Sequence, residues 1–312
     1  MKVFKGTDAL PELHKAVLTI GTFDGVHQGH KTILDSVVAY ARRIGGQSVL
    51  ITFDPHPRKL IFPDEPLKLL HTLDEKLALI DAAGIDIVVV VPFTQLFSRL
   101  SAQEYIEHFL VDKFHPAAII IGYDHHFGHD RSGDIRMLRA CAARYRFEVI
   151  EIPVHLIEAA AVSSTQIRNA LSQGRVGDAA DMLGQWYSIS GHIVHGAQLG
   201  RTIGYPTANI LLDQADKLVP PIGVYAVLAQ PERGRIYPAM MSIGYNPTVT
   251  DDRSVKIEVH LFDFNEDLYG RQLTVFFVQR MRDEERFASL DDLILQLHKD
   301  KEESQKILSG LT

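Results

Sequence analysis

Two hydrophobic rhythms divide this chain, and they constrain its fold more than any other feature. Through about residue 182, short apolar runs alternate with segments of helical period, the signature of parallel βαβ units. Ala16 to Ile20, Gln47 to Phe53, Ile85 to Val91, Ala117 to Ile121 and Phe147 to Ile152 predict strands. Lys31 to Ile44, Asp74 to Ala82, Ala102 to Lys113 and Ile135 to Tyr145 predict helices. After about Trp186 the pattern turns to strand-like alternation broken by Gly, Pro, Asn and Asp. Val224 to Leu228, Tyr237 to Ile243, Val255 to Phe262 and Leu273 to Val278 predict the strands of a sheet or barrel. A last helix is expected from about Leu290 to Leu308, with Ser289 as its N-cap. The expected domains are 1–184 and 185–312, joined without a long linker; a length of 312 residues fits two ordinary domains or one large α/β domain.

Composition removes several function classes. With 46% hydrophobic and 23% charged residues the chain can bury a substantial core, so disorder is not expected. A formal charge of −7 lacks the clustered basic footprint of a nucleic-acid binder. The single cysteine, Cys141, can form neither an internal disulfide nor a Cys-rich zinc site, which points to a reducing compartment. The first residues lack the apolar core of a signal peptide, and no 18-residue apolar run occurs, so a cytoplasmic protein without a membrane partner is expected.

GTFDGVHQGH (21–30) follows the first apolar run and opens a helix, which places His27 and His30 on one face of a helix start at the carboxyl end of a parallel strand. Helix-start amides suit phosphate, and two imidazoles there could donate hydrogen bonds to charge growing in a transition state. A metal clip is the weaker reading, since zinc favours histidines four apart with a third ligand; two solvated histidines are the plain alternative. VSSTQIR (162–168) opens another helix with hydroxyl caps and Arg168 one turn in, a second anion-binding arrangement or an ordinary cap.

GTFDGVHQGH, ITFDPHPR (51–58), GYDHHFGHDRSGD (122–134) and VSSTQIR together resemble, in order and spacing, the adenylyltransferase module of bacterial bifunctional riboflavin kinase/FAD synthetases. The resemblance implies a Rossmann-like nucleotidyltransferase domain with a parallel sheet. It implies that Gly21, Phe23, Asp24, His27, Gly29, His30, Ser164, Thr165 and Arg168 hold ATP, with His27, His30 and Arg168 catalytic. It places His56 and Asp124 beside the flavin. His125 departs from the phenylalanine of the family pattern and, with His126 and His129, forms a local cluster that reads as a metal site or as the lining of a wet pocket.

In the second half, Gly196 and Gly200 flank a loop after a strand, either as loop punctuation or as a phosphate cradle. Thr207 and Asn209, two apart in an extended PTAN segment, offer hard oxygens to magnesium or form a turn. In VKIEVHL (255–261), Glu258 and His260 fall opposite the apolar set Ile257, Val259 and Leu261. Glu258 is then either a solvated strand residue or, if the polar side lines a barrel mouth, a general base for a hydroxyl.

HGAQLGRTIGYPTAN, PIGVYAV, SIGYNPT, IEVHLFDF and RDEERFASLDDL resemble, in the same order, the riboflavin kinase module of that family, so the resemblance spans roughly residues 14 to 305. It implies an antiparallel β-barrel with a terminal helix, ATP held by Gly196, Gly200, Arg201, Thr202, Thr207 and Asn209, and Mg²⁺ at Thr207 and Asn209. Glu258 would be the catalytic base, with Arg282 and Glu284 by the flavin; Ser242 replaces a family asparagine. The expected activity is phosphorylation of riboflavin by ATP to FMN, then adenylylation of FMN by a second ATP to FAD and pyrophosphate. Small molecules are the expected partners, while oligomeric state is not legible. The alternatives are a single-activity enzyme with one module degenerate, or a flavin-binding regulator; the regulator needs a DNA-binding helix or basic face that the sequence does not show.

Overall fold

The structure, a computed structural model, describes residues 1–153, 162–196, 199–232, 234–245 and 255–311, with the side chains of residues 199 and 201 outside that description. It divides into two compact units, Met1–Ser164 and Thr165–Thr312.

The first unit is built on a six-stranded parallel sheet of order β1-β4-β3-β2-β5-β6, from β1 (Lys2–Lys5), β2 (Ala16–Ile20), β3 (Gln47–Asp54), β4 (Ile87–Pro92), β5 (Pro116–Gly122) and β6 (Glu148–Ile152). Both faces are covered, which is why the strands read as unbroken apolar runs. On one face Val17, Leu50, Val88 and Ile120 pack with Leu34, Val37 and Val38 of α1 (Gln28–Ile44). On the other, Leu18, Ile51, Val89 and Ile119 pack with Ile106, Phe109 and Leu138. The chain lays down β2, β3 and β4 in one direction and then returns to place β5 on the far side of β2. The order therefore reverses between β2 and β5, and a crevice at such a switch point is where open α/β sheets bind ligands.

Local signals explain the helices of this unit. Gly45, at φ 62, ends α1 in the left-handed region that glycine tolerates. Thr72 and Glu75 form a reciprocal capping box that opens α3 (Leu73–Ala82), after the short α2 (Pro57–Ile61). Asp134 caps α4 (Ile135–Tyr145) by accepting from Met137 N. Several features depart from the sequence reading, among them the short α2 and a helical turn over Gln95–Ser98 that it did not expect. Lys2–Lys5 adds an edge strand that its mostly exposed, charged residues do not announce. β4 begins at Ile87 rather than Ile85, because the Asp86 carboxylate turns to Ser48, accepting from its N at 2.9 Å and its Oγ at 2.7 Å. The helix over 102–114 is a π-helix in its middle, Tyr105–Val111.

The second unit opens with α5 (Ser164–Ser172), whose first residue belongs to the first unit, and α6 (Val176–Leu183). A closed antiparallel barrel follows, of order β10-β11-β8-β7-β12-β9, with β9 pairing β10 to complete the ring. Its strands are β7 (Ser188–Val194), β8 (Ala208–Leu212), β9 (Gly223–Pro231), β10 (Tyr237–Tyr245), β11 (Val255–Leu261) and β12 (Gln272–Arg282). β7 and β8 complete the four strands expected from period-two alternation. The terminal helix α7 (Leu290–Leu308) is capped by Ser289, and its Leu297, Ile307 and Leu308 pack on Leu228, Met240 and Phe262 of the barrel wall.

Candidate functional sites

The 21–30 loop runs off the end of β2 at the switch point, and its shape is held under strain. Phe23 and Val26 both sit at positive φ, 47 and 39, beside Gly25 at φ 98. Such conformations cost a non-glycine residue about 1–3 kcal/mol each. Burial of the same two side chains, 3% and 1% exposed, returns a comparable amount, so packing can hold the loop in this form. A Cβ on Gly21 would lie 3.1 Å from the Phe23 ring, so that ring folds back against the backbone.

This loop delivers the two histidines to the start of α1. His27 is the N-cap: its Nδ1 accepts from His30 N at 3.3 Å, which fixes its remaining proton on Nε2. The rings of His27 and His30 stack at 3.7 Å and 17°, and Phe23 lies 4.9 Å from His30. His30 Nδ1 is buried and has no hydrogen-bond partner, an unused polar atom within the cluster. Gly29, between the two histidines, is buried in the first turn.

Asp24 is buried, and its Oδ1 accepts from Leu70 N at 3.0 Å and His71 N at 3.3 Å, so it ties the loop to the entry of α3. Ser164, the last residue of the first unit, donates from its Oγ to Asp24 O at 2.7 Å. Thr165 is exposed and Arg168 half-buried on α5. Asp124 follows β5, next to β2 in the sheet; it is exposed, and its carboxylate bears on His27. His56 caps α2 by accepting from Arg58 N at 3.2 Å, a local role at the carboxyl end of β3.

Burial lowers the His27 pKa from 6.5 to about 4 against the pull of Asp124, and lowers His125 from 6.5 to about 4 against the same carboxylate. Burial, followed by the charges of His27, Lys76 and His71, pushes His30 well down. Both rings of the stacked pair are therefore neutral hydrogen-bonding groups near neutral pH. The unfolded chain takes up these protons near pH 6.5 and the folded chain only near pH 4, so stability is complete above 6.5 and falls as pH drops through that window. A shift of this size corresponds to about 3 kcal/mol per histidine. His27→Asn keeps a cap acceptor without titrating, and its melting temperature is expected to fall less than that of wild type between pH 7 and 4.5. Superimposable melting profiles would contradict this linkage.

The histidine cluster after β5 is not a metal centre. His126 Nδ1 turns to Asp124 O at 2.9 Å, His129 pairs with Asp130 at 3.1 Å, and the His125 ring lies 6.0 Å from that of Phe127. Among the described residues no group of three His, Cys, Asp or Glu side chains is placed to hold a metal.

In the second unit, period-two alternation puts Ile257, Val259 and Leu261 inside the barrel and Glu258 on the wall's outer side, half-buried. Glu258 is nonetheless more than a solvated strand residue. Asn209 lies opposite it in register, Thr207 Oγ1 donates to its Oε1 at 3.3 Å, and Lys256 Nζ lies 3.0 Å from its Oε2. His260, on the same side, is buried and turns its Nδ1 to Pro206 O at 2.7 Å, which fixes the PTAN segment.

The glycines belong to this corner. A Cβ on Gly196 would lie 2.2 Å from Asn209 Nδ2, and one on Gly200 would lie 2.2 Å from Tyr205 O. At Gly200 the neighbour is backbone and only glycine permits the approach, while at Gly196 a side chain would displace the Asn209 amide, so Gly196, Gly200, Thr207, Asn209 and Glu258 converge. Thr202 is exposed at the end of the short Leu199–Thr202 helix; Arg201 lies in that helix, with its side chain outside the described residues. Two oxygen-bearing side chains, Thr207 and Asn209, form a donor set suited to a hard divalent ion held together with phosphate oxygens, beside the Glu258 carboxylate.

Arg282 and Glu284 follow two irregularities in the β12 pairing, between Phe277 and Gln279 and between Arg280 and Arg282. Such bulges re-aim side chains at barrel rims. Arg282 grips the buried Asp300 of α7 with both prongs, Nε to Oδ1 at 2.9 Å and Nη2 to Oδ2 at 2.7 Å, and Gln296 Nε2 donates to the same Oδ1 at 2.8 Å. The Glu284 carboxylate lies against Gly244, where a Cβ would sit 2.5 Å from Oε1. Ser242, on β10, stands opposite Glu258 in register.

Residues of both corners escaped the sequence reading. Lys76 is buried and donates to Thr22 O at 3.1 Å and Thr52 Oγ1 at 3.0 Å; its helical context reads as an ordinary amphipathic turn. Asp300 and Gln296 lie in a polar helical stretch that gives no hint of a partner for Arg282.

Known proteins resemble the chain along nearly its whole length. The family described as FAD synthetase matches residues 10–166, and that described as riboflavin kinase matches 183–308. Bifunctional riboflavin kinase/FMN adenylyltransferase of Pseudomonas fluorescens is 38% identical over 96% of this chain and 96% of its own. That of Listeria monocytogenes is 36% identical over 98% and 96%, and that of Escherichia coli K12 is 36% identical over 100% and 99%. A solved structure described as a macrolide-efflux protein from Streptococcus pneumoniae superimposes with a TM-score of 0.88 at 32% identity, covering 98% of this chain and 99% of that one. Among the described residues of this chain, no helix is long and apolar enough to cross a membrane. Two family matches joined in one chain, together with bifunctional relatives aligned over 96% or more of both chains, establish that the chain belongs to the bifunctional riboflavin kinase/FMN adenylyltransferase family.

Proposed function

We propose that the barrel transfers the γ-phosphoryl group of ATP to the 5′-hydroxyl of riboflavin, giving FMN and ADP, and that the first site joins FMN to the AMP portion of a second ATP. The observation that carries this reading is that each half of the chain assembles its own constellation: a stacked neutral histidine pair at a helix start, and a carboxylate flanked by a threonine hydroxyl and an asparagine amide.

In the kinase step Glu258 accepts the hydroxyl proton as the ribityl oxygen attacks the γ-phosphorus and ADP leaves. Thr207 and Asn209 offer oxygens to Mg²⁺, which when bound neutralises phosphate charge. Gly196 and Gly200, with Arg201 and Thr202, let backbone approach the phosphates. Glu284 lies by the flavin, and Arg282, anchored to Asp300, holds the strand end that carries it.

In the adenylylation step an FMN phosphate oxygen attacks the α-phosphorus and pyrophosphate leaves. His27 Nε2 and His30, with the first-turn amides of α1, donate to the charge that develops. Gly21, Phe23, Asp24 and Gly29 shape the nucleotide seat, Ser164, Thr165 and Arg168 take the departing phosphates, and His56 and Asp124 flank the flavin. In function the chain divides at 184/185, with α5 and α6 serving the adenylylation module. The enzyme works on small molecules in the cytoplasm, with no nucleic-acid partner. Supplied separately with riboflavin or FMN, plus ATP and Mg²⁺, it is expected to produce FMN and then FAD from the first and FAD from the second. Production of FMN alone, or of neither, on chromatography of the flavins would overturn the reading.

A further inference from the structure

The nucleotide loop is clasped from below by the start of α3. Thr22, Thr52 and Lys76 make a closed set of contacts: Lys76 Nζ donates to Thr22 O at 3.1 Å and to Thr52 Oγ1 at 3.0 Å, and Thr52 Oγ1 donates to Thr22 O at 3.1 Å. Asp24, two residues on, accepts from Leu70 N and His71 N. The loop is therefore gripped just before its strained section, at Thr22, and within it, at Asp24, by α3 and the residues that lead into it. Lys76 is 8% exposed and Thr52 0%. A buried ammonium is expensive unless it is well partnered, and a methionine would fill the same volume without that cost. A charge kept here has work that burial alone does not explain.

We infer that Lys76 is a positioning residue for adenylyl transfer: its ammonium holds the Thr22 carbonyl and the Thr52 hydroxyl so that the 21–30 loop presents His27, His30 and the start of α1 to the nucleotide. The inference rests on the adenylylation reading above and deepens it. The same cation faces His30, where it joins His27 from the loop and His71 from the approach to α3 in disfavouring protonation. Asp24 and Asp54 face Lys76 itself and favour its charge, while burial opposes it. Lys76 therefore both sets the loop's shape and helps keep the imidazole pair neutral.

The test compares Lys76→Met, Lys76→Arg and Thr52→Val as full-length chains. FAD formation from FMN and ATP is measured across pH, with FMN formation from riboflavin by the same preparations as the control for folding. Lys76→Met is expected to lower kcat for FAD formation by about 10-fold or more, a size in keeping with a displaced catalytic geometry, with the KM for FMN little changed. The acid limb of its kcat/KM profile should move to higher pH, because His30 loses a repelling charge. Lys76→Arg should recover the wild-type acid limb, and Thr52→Val, close in shape and uncharged, should show a smaller loss of kcat. Wild-type kcat and an unmoved acid limb in both Lys76→Met and Thr52→Val would overturn the inference. A loss confined to melting temperature, with kcat and the pH profile intact, would overturn it too. Failure of the wild-type enzyme to make FAD from FMN would instead overturn the adenylylation reading itself.

Discussion

Glu258→Gln stops the conversion of riboflavin to FMN and leaves the conversion of FMN to FAD at its wild-type rate. The expected loss is roughly 10²–10⁴-fold in kcat, the contribution of a positioned general base. Glutamine keeps the length, the strand position opposite Asn209 and an oxygen that can accept from Thr207, so the barrel should fold unchanged. What disappears is the ability to take a proton. Lys256 loses its ionic partner as well, but an exchange between partly exposed groups is worth about 1 kcal/mol or less and cannot account for a loss of this size. Lys256→Met should accordingly cost far less than Glu258→Gln. Equal loss in the two variants would show that the ion pair, and not proton transfer, is what the site requires.

His30→Ala has the opposite signature: FAD formation from FMN falls by about 10²–10³-fold, the usual cost of deleting one donor aimed at developing charge, while FMN formation is unaffected. The backbone amide that caps onto His27 remains, so α1 keeps its start. Its ring, however, also stacks on His27 and meets Phe23, so some loss of stability in the first unit is expected. His30→Gln separates the two effects. It restores a donor without the ring and should recover part of kcat, with a melting temperature no higher than that of His30→Ala. If alanine and glutamine variants match wild type in FAD formation, the histidine pair has no part in the transfer.

The architecture was largely legible because its signals are local. Runs buried on both faces predict parallel strands, and the hydroxyl cap at Ser289 marks the start of the terminal helix. The site residues were legible as motifs, yet their partners were not. Asp24 reads as part of a phosphate loop, but its carboxylate is spent on Leu70 and His71, some 46 and 47 positions away. Lys76 sits in a helix whose pattern explains it as a surface lysine, and only the pairing of β2 with β3, which brings Thr22 just past β2 beside Thr52 on β3, reveals its burial. Arg282 matches a flavin-side motif, whereas its guanidinium is held by Asp300, 18 positions on in the terminal helix. Glu258 turns on a choice the alternation left open, since its side of the barrel wall is outer and yet occupied by Thr207 and Asn209. Contacts set by tertiary closure leave no periodic trace in sequence, and these are the ones that were missed.

Complementation between the two site variants bears most directly on the claim that one chain carries two separate catalytic centres. Glu258→Gln and His30→Ala are each supplied with riboflavin, ATP and Mg²⁺, singly and as an equimolar mixture, and flavins are followed over time. Singly, the first should leave riboflavin unconverted and the second should stop at FMN; the mixture should build up FMN and then turn it into FAD. A mixture that yields no FAD, while each variant is folded, would contradict two independent sites and the account built on them.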